Sequence, residues 1–151
     1  MSVRFADFRA ADALTIELQP SQIIEAGIDC SRMSESQARA LEGQGDAWTA
    51  FDGDGRVLCC AGIAEVFKGR QGVAWAMLAA DIGAAAHLAI TRFAKDQIAR
   101  SPLIRIETLV AADARGRGAK WARACGLRLN AIVECWGAAS ETMMLFERIR
   151  R

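Results

Sequence analysis

Val73-Ala74-Trp75-Ala76-Met77-Leu78-Ala79 is a run of seven apolar residues that turns at Ala80-Asp81-Ile82-Gly83-Ala84-Ala85 directly into an Ala-rich stretch ending at Arg100. Apolar residues at every position, with no polar alternation, are what a central strand needs when both of its faces are covered. The small residues after it open a helix whose first backbone N–H groups have no partner within the helix. Such a turn can cradle a phosphate. An ordinary strand, turn and helix, with small residues chosen for packing, is the competing reading.

Outward from this junction, Ala84 to Arg100 carries Ala86, Ile90, Phe93 and Ala94 on one face and Arg92 and Lys95 on another, and Ser101-Pro102 stops it. Leu103 to Ala111 then reads as a strand with a buried set drawn from Ile104, Ile106 and Leu109. A helical connection between it and the Val73 strand makes the two parallel. On the other side, Ala47 to Phe51 and Arg56 to Phe67 flank Asp52-Gly53-Asp54-Gly55, a hairpin signal. Asp52 and Asp54 are turn residues there, because the other ligands of a calcium loop are missing. Phe67 to Gly72 forms a second turn, so three antiparallel strands precede the long helix.

The remaining elements follow from similar signals. Val3, Phe5 and Phe8 suggest a first strand, and Ala10 to Leu18 is helical in composition. Pro20-Ser21 restarts the chain, with Ile23, Ile24, Ala26 and Ile28 as packing residues. Ser34-Glu35-Ser36-Gln37 opens a helix to about Leu41. Asp113 to Cys125 reads as a last helix closed by Gly126, and Leu127 to Trp136 and Thr142 to Ile149 as two final strands.

At 151 residues, 52% of them hydrophobic, the chain suits one domain, residues 1–151, with a full core and no need of metal or disulfides. Five cysteines without a C-x-x-C spacing indicate reduced, packed thiols. No run approaches a membrane span, and the first residues lack the apolar core of a signal peptide, so a cytoplasmic protein is expected. A net charge of +1 does not favour nucleic acid as a partner.

The element order, and two local segments, resemble the GNAT superfamily of acyl-CoA N-acyltransferases over the whole chain. The first segment is the turn, where that family carries Gln/Arg-x-x-Gly-x-Gly/Ala; Gly83 and Ala85 match, and Ala80 replaces the Gln or Arg. The second is Ala119-Lys120-Trp121-Ala122-Arg123-Ala124-Cys125-Gly126-Leu127, similar to the family's helix end. There Ala122 stands where a Tyr often protonates the departing CoA thiolate, and this chain has no Tyr. The resemblance implies an α/β GNAT fold: a mixed, mostly antiparallel sheet with a splayed parallel central pair and helices on both faces. It implies acetyl-CoA as co-substrate, a small-molecule or protein amine as acceptor, and a second copy of the chain as a possible homodimer partner. A fainter similarity, carried by the Trp75 strand and the Trp121 to Leu127 segment, is to GNAT-like internal virion proteins of short-tailed phages. That would make the chain a non-catalytic structural or interaction module.

On the enzyme reading, the pyrophosphate sits over Ile82, Gly83, Ala84 and Ala85. The pantetheine amides pair with the strand end Leu78, Ala79 and Ala80, and Asp81 caps the helix. A base must take the amine proton, and Glu107, in an apolar strand beside the cofactor strand, is the candidate, with Glu65 and Glu134 in reserve. A solvent-facing or salt-bridged carboxylate is the alternative for each. His87, the single histidine, reads as a surface or packing residue, and no metal site is expected. Cys125 and Cys135 read as buried thiols rather than nucleophiles. Arg115 to Arg123 is a basic cluster with three open readings: a nucleic-acid contact, a contact to the adenosine phosphates of CoA, or a solvated helix face.

Overall fold

A computed structural model describes residues 2–16, 33–113, 115–137 and 139–151. Among the described residues seven strands form one sheet: β1 (Arg4–Asp7), β2 (Ala47–Phe51), β3 (Val57–Phe67), β4 (Gln71–Leu78), β5 (Arg105–Ala111), β6 (Arg128–Val133) and β7 (Met143–Ile149). Their spatial order is β1-β2-β3-β4-β5-β7-β6, antiparallel except for β4 and β5. The helices among the described residues are α1 (Ala10–Ala13), α2 (Glu35–Leu41), α3 (Ala84–Arg100) and α4 (Arg117–Ala124).

The two-residue period of the strands sorts their side chains onto two faces. One face presents Trp48, Ala50, Cys59, Ala61, Ile63, Leu78, Ile106 and Val110 to Ala86, Ile90, Ala94 and Ile98 of α3 and to Ala119 and Ala122 of α4. The other presents Cys60, Met77 and Ala79 to α1 and to Ala38 of α2. Both sides of β4 are therefore covered, which is why its sequence shows no polar alternation. Phe93 anchors α3 across the sheet, stacked on Phe5 at 4.0 Å and edge-on to Trp48 at 4.9 Å.

Local chemistry explains the element ends. Ser34 Oγ accepts a hydrogen bond from the Gln37 N–H while Gln37 Oε1 accepts one from the Ser34 N–H, a reciprocal cap at the helix start expected there. Asp52 Oδ1 accepts from the N–H groups of Asp54 and Arg56, closing the β2–β3 hairpin as turn chemistry. Among the described residues no group of His, Cys, Asp and Glu could hold a metal ion.

Several expected boundaries move. The helix foreseen from Asp113 begins at Arg117, because Gly116 takes a left-handed conformation (φ 61°) that a helix interior does not accept. The strand foreseen from Leu103 begins at Arg105, and Ile104 is 51% exposed while Ile106 and Val110 are buried. Ile106 and Leu109, an odd number of positions apart, fall on opposite faces and cannot form one buried set. The strand foreseen to Trp136 ends at Val133, so Glu134 lies in the following turn. Of the helix expected over Ala10 to Leu18, α1 covers four residues. Pro20-Ser21 and Ile23, Ile24, Ala26 and Ile28 lie outside the described residues.

The C-terminal carbonyls of α3 are capped from β7. Arg148 donates to the carbonyl oxygens of Ile98 (2.6 Å), Leu103 (2.7 Å) and Ser101 (3.1 Å). A cation on the negative end of a helix, with three charge-assisted hydrogen bonds, ties α3 to the far side of the cleft described below. Arg148→Met is expected to lower unfolding free energy by about 2–3 kcal/mol, measured by urea denaturation.

Candidate active site

β4 and β5 stay in register for three pairs only, Gln71 with Arg105, Gly72 with Ile106 and Val73 with Glu107. Beyond Val73 they part, and β5 continues along β7 to Ala111 while β4 continues along β3 to Leu78. The parted strands open onto a cavity of about 790 Å³ between the sheet and the two helices α3 and α4. This is within the range of small-molecule and cofactor sites, roughly 300–1,000 Å³.

The mouth of the cavity is the start of α3. Gly83 is the N-cap and makes no side-chain cap, and the first turn contains no acidic residue. Gly83, Ala84 and Ala85 are exposed, and a Cβ added at Gly83 would meet nothing within 4 Å. Asp81 does not cap the helix as expected; its carboxylate pairs with Arg56 across the turn. That hydrogen bond and charge hold the Asp81 carboxyl below its ordinary range, so its negative charge is matched locally. Of the other turn residues, Leu78, Ile82 and Ala84 line the cavity, Ala79 is buried and Ala80 is exposed.

The walls include polar groups that sequence reasoning undervalued. Trp121 of α4 donates its indole N–H to the Thr91 hydroxyl at 2.9 Å, and Thr91 donates to the His87 carbonyl at 2.8 Å, fastening α4 to α3 over the cavity. The His87 and Trp121 rings lie 6.0 Å apart, and both line the cavity. His87 sits four residues after Gly83, one turn into the helix, so helical spacing alone could have turned it toward the cleft. Arg117 and Lys120 from the basic cluster also line the cavity, while Arg123 lies over the Phe146 ring at 5.3 Å.

Glu107 occupies the last paired position before the strands part. The two-residue period puts it with Val73 and Trp75 on the face opposite α3. Its Oε2 accepts from Arg105 Nε at 2.7 Å, and its side chain is 25% exposed. Directly across β7 stands Glu147, 3% exposed, held by Arg105 and by Arg128 at 3.1 Å. One guanidinium thus bridges two facing carboxylates that would otherwise repel. The Asn130 side chain and the two arginines hold the Glu147 carboxyl below its ordinary value of 4.5. A depressed carboxyl contributes stability that is full above that value and is lost as pH falls through the lower folded-state pKa. Unfolding followed against pH is therefore expected to show a loss of stability below about pH 4.5 that Glu147→Gln diminishes.

The reserves lie elsewhere. Glu65 accepts from the Gly69 N–H in the β3–β4 turn, and Glu134 follows the edge strand β6. Cys59, Cys60 and Cys125 are buried free thiols, and burial pushes Cys60 up to about 12 and Cys125 up to about 11, which removes them as nucleophiles near neutral pH. Cys135, expected to be buried, is exposed, because β6 ends before it and it lies in the following turn.

This arrangement, a central parallel pair that splays at a strand-to-helix turn in an otherwise antiparallel sheet, superposes over nearly its whole length on solved structures of GNAT acetyltransferases. The fold is the GNAT fold. A GCN5-related N-acetyltransferase from Kribbella flavida superposes with a TM-score of 0.71 over 98% of each chain, at 22% identity. A GNAT phosphinothricin acetyltransferase from Sinorhizobium meliloti, solved with AcCoA, gives 0.70 at 16% identity over 99% of this chain and 89% of its own. The spermidine N-acetyltransferase from Vibrio cholerae, in complex with CoA and spermine, gives 0.69 at 11% identity over 97% and 95%. No protein-family model matches the chain, and no curated protein sequence does. No helix among the described residues of this GNAT-fold chain is long and apolar enough to cross a membrane.

Proposed function

We propose that the protein is an acyl-CoA-dependent N-acyltransferase that binds CoA in the cleft between β4 and β5. The observation that carries this is the parting of the strands after Val73 together with the open, uncapped start of α3 at the cavity mouth. Diphosphate oxygens accept hydrogen bonds from the backbone N–H groups of Gly83, Ala84 and Ala85, beside Ile82, and need no side chain there. Pantetheine runs along Leu78, Ala79 and Ala80, and Arg117 and Lys120 supply positive charge for the adenosine phosphates.

The thioester then lies in the gap beside Val73 and Glu107. The amine acceptor approaches from the face that carries Glu107, opposite the helix α3. Its nitrogen attacks the thioester carbonyl, a C–N bond forms and the C–S bond breaks. Glu107, directly or through a water, takes the amine proton. The thiolate leaves and is protonated by solvent, since Ala122 has no proton to give. Residues Ala80 and Ala122 also support a second reading, a non-catalytic GNAT-fold interaction module, including the phage type.

Calorimetric titration with acetyl-CoA, followed by an acetyl-transfer assay over a panel of amines, separates the two. Binding with transfer is expected. Binding without transfer to any amine favours the module, and no binding at millimolar concentration removes CoA from both.

A further inference from the structure

The cavity extends along the α3 face of the sheet, away from the gap beside Val73 and Glu107, neither of which lines it. From Thr108 and Val110 on β5 it passes over Ala74 and Ala76 on β4 and Ala61 on β3, and it reaches Trp48 and Asp46 beside β2. Crossing from β4 to β2 spans two inter-strand spacings, about 10 Å, and the gap between the parted β4 and β5 lengthens the path. Its roof is the inner side of α3, where Ala94, Gln97 and Ile98 face down.

Small side chains create this space. Ala61 pairs with Ala76, and Ala74 pairs with Ile63, all on the face beneath α3. Ala74 and Ala76, in the middle of a seven-stranded sheet under a helix, are only half-buried. Interiors are normally packed without voids, so alanines exposed to a cavity at the centre of a sheet mark room for something else. Water is a poor occupant of the stretch over these alanines, because it needs two to four polar partners and the floor offers methyl groups. Exposed Asp46 and half-buried Gln97 place polar groups at the far end, so the apolar stretch is bounded.

We propose that the acyl donor is a medium-chain, straight fatty-acyl thioester whose hydrocarbon tail lies beneath α3 on Ala61, Ala74 and Ala76. This rests on the reading of the β4–β5 cleft as a CoA site, and it adds the acyl class that the site selects. An acetyl group would leave the stretch under α3 empty. A longer chain fills it, with each methylene removed from water strengthening binding by about fourfold.

The experiment is calorimetric titration of the whole protein with CoA, acetyl-CoA and octanoyl-CoA, repeated on Ala74→Leu and, from the opposite wall, Ala94→Val. Thermal unfolding checks that each variant is folded. Octanoyl-CoA is expected to bind at least about 100-fold more tightly than acetyl-CoA, a fraction of what six fully buried methylenes would give. That ratio is expected to fall at least about tenfold in either folded variant, since the new methyl groups occupy the path. If CoA and acetyl-CoA bind but octanoyl-CoA binds no more tightly, the chain-length proposal is overturned and the CoA reading stands. A strong octanoyl preference that both folded variants retain also overturns it, because the tail then lies elsewhere. If none of the three binds at millimolar concentration, the cleft reading falls and this one with it.

Discussion

Glu107→Gln is expected to slow acyl transfer by about 100- to 10,000-fold, the usual cost of losing a general base. Glutamine keeps the size of the side chain and one oxygen able to accept from Arg105 Nε, now 2.7 Å from Glu107 Oε2. What it loses is the capacity to take a proton. CoA affinity is expected to change little, because the residue lies at the vertex of the cleft, remote from the start of α3, and on the opposite face of the sheet. Equal rates in the two proteins would take Glu107 out of the mechanism. The base would then be sought among groups lining the cavity, His87 and Asp113, since Glu65 is engaged at a turn and Glu134 follows the far edge strand.

Gly83→Glu is expected to abolish CoA binding. The position tolerates a side chain structurally: φ is −67°, and a Cβ meets nothing within 4 Å. The fold is therefore expected to survive, with a melting temperature close to that of the unaltered protein. A carboxylate at the N-cap can accept from the same first-turn N–H groups that the diphosphate would use, and its charge repels the phosphates. Loss of measurable acetyl-CoA binding by calorimetry, with unchanged unfolding, is the expected pair of results. Unchanged affinity would place the phosphates elsewhere. Gly83→Ala, which adds neither charge nor reach, is the control and is expected to bind within a few-fold of the unaltered protein.

The two variants act at opposite ends of the cleft and have no contact with each other, so their effects are expected to be independent. Together they separate a protein that binds CoA without catalysis from one that does both. The stability predictions for Arg148 and Glu147 concern the framework. One ties the end of α3 to β7, and the other keeps two facing carboxylates of β5 and β7 together through Arg105.

The course of the chain was readable without coordinates where a local pattern has one physical solution. Seven consecutive apolar residues required a strand buried on both sides, Asp-Gly between two apolar runs required a hairpin, and Ser34 to Gln37 announced the start of α2. The helix from Ala84 to Arg100 follows from its composition and its Ser-Pro stop, and its observed ends coincide with that reading. The order of these elements led to the splayed pair, because a helical connection makes β4 and β5 parallel and their other neighbours are antiparallel. The small residues after Ala79 likewise announced an open helix start.

Tertiary structure alone decided which groups meet. Asp81 was expected as a cap, yet its partner is Arg56, a residue 25 positions away whose approach depends on the β2–β3 hairpin. Glu107 reads in sequence as a lone carboxylate in an apolar strand, but Glu147 is brought opposite it only by the β5–β7 register. Arg105 lies two residues away, yet nothing local says that it would bridge both. His87 and Thr91 carried no motif, and Trp121 stood in a family-like helix end that said nothing of its partner; they converge because α4 packs on α3 over the cavity. The cavity beneath α3 is also nonlocal: Ala61, Ala74 and Ala94 read in sequence only as packing residues of three segments, and the space they leave exists only where those segments face one another. Local propensity acts through the period and the caps of one segment, whereas a site is a sum of contacts between segments whose separation along the chain leaves no local trace.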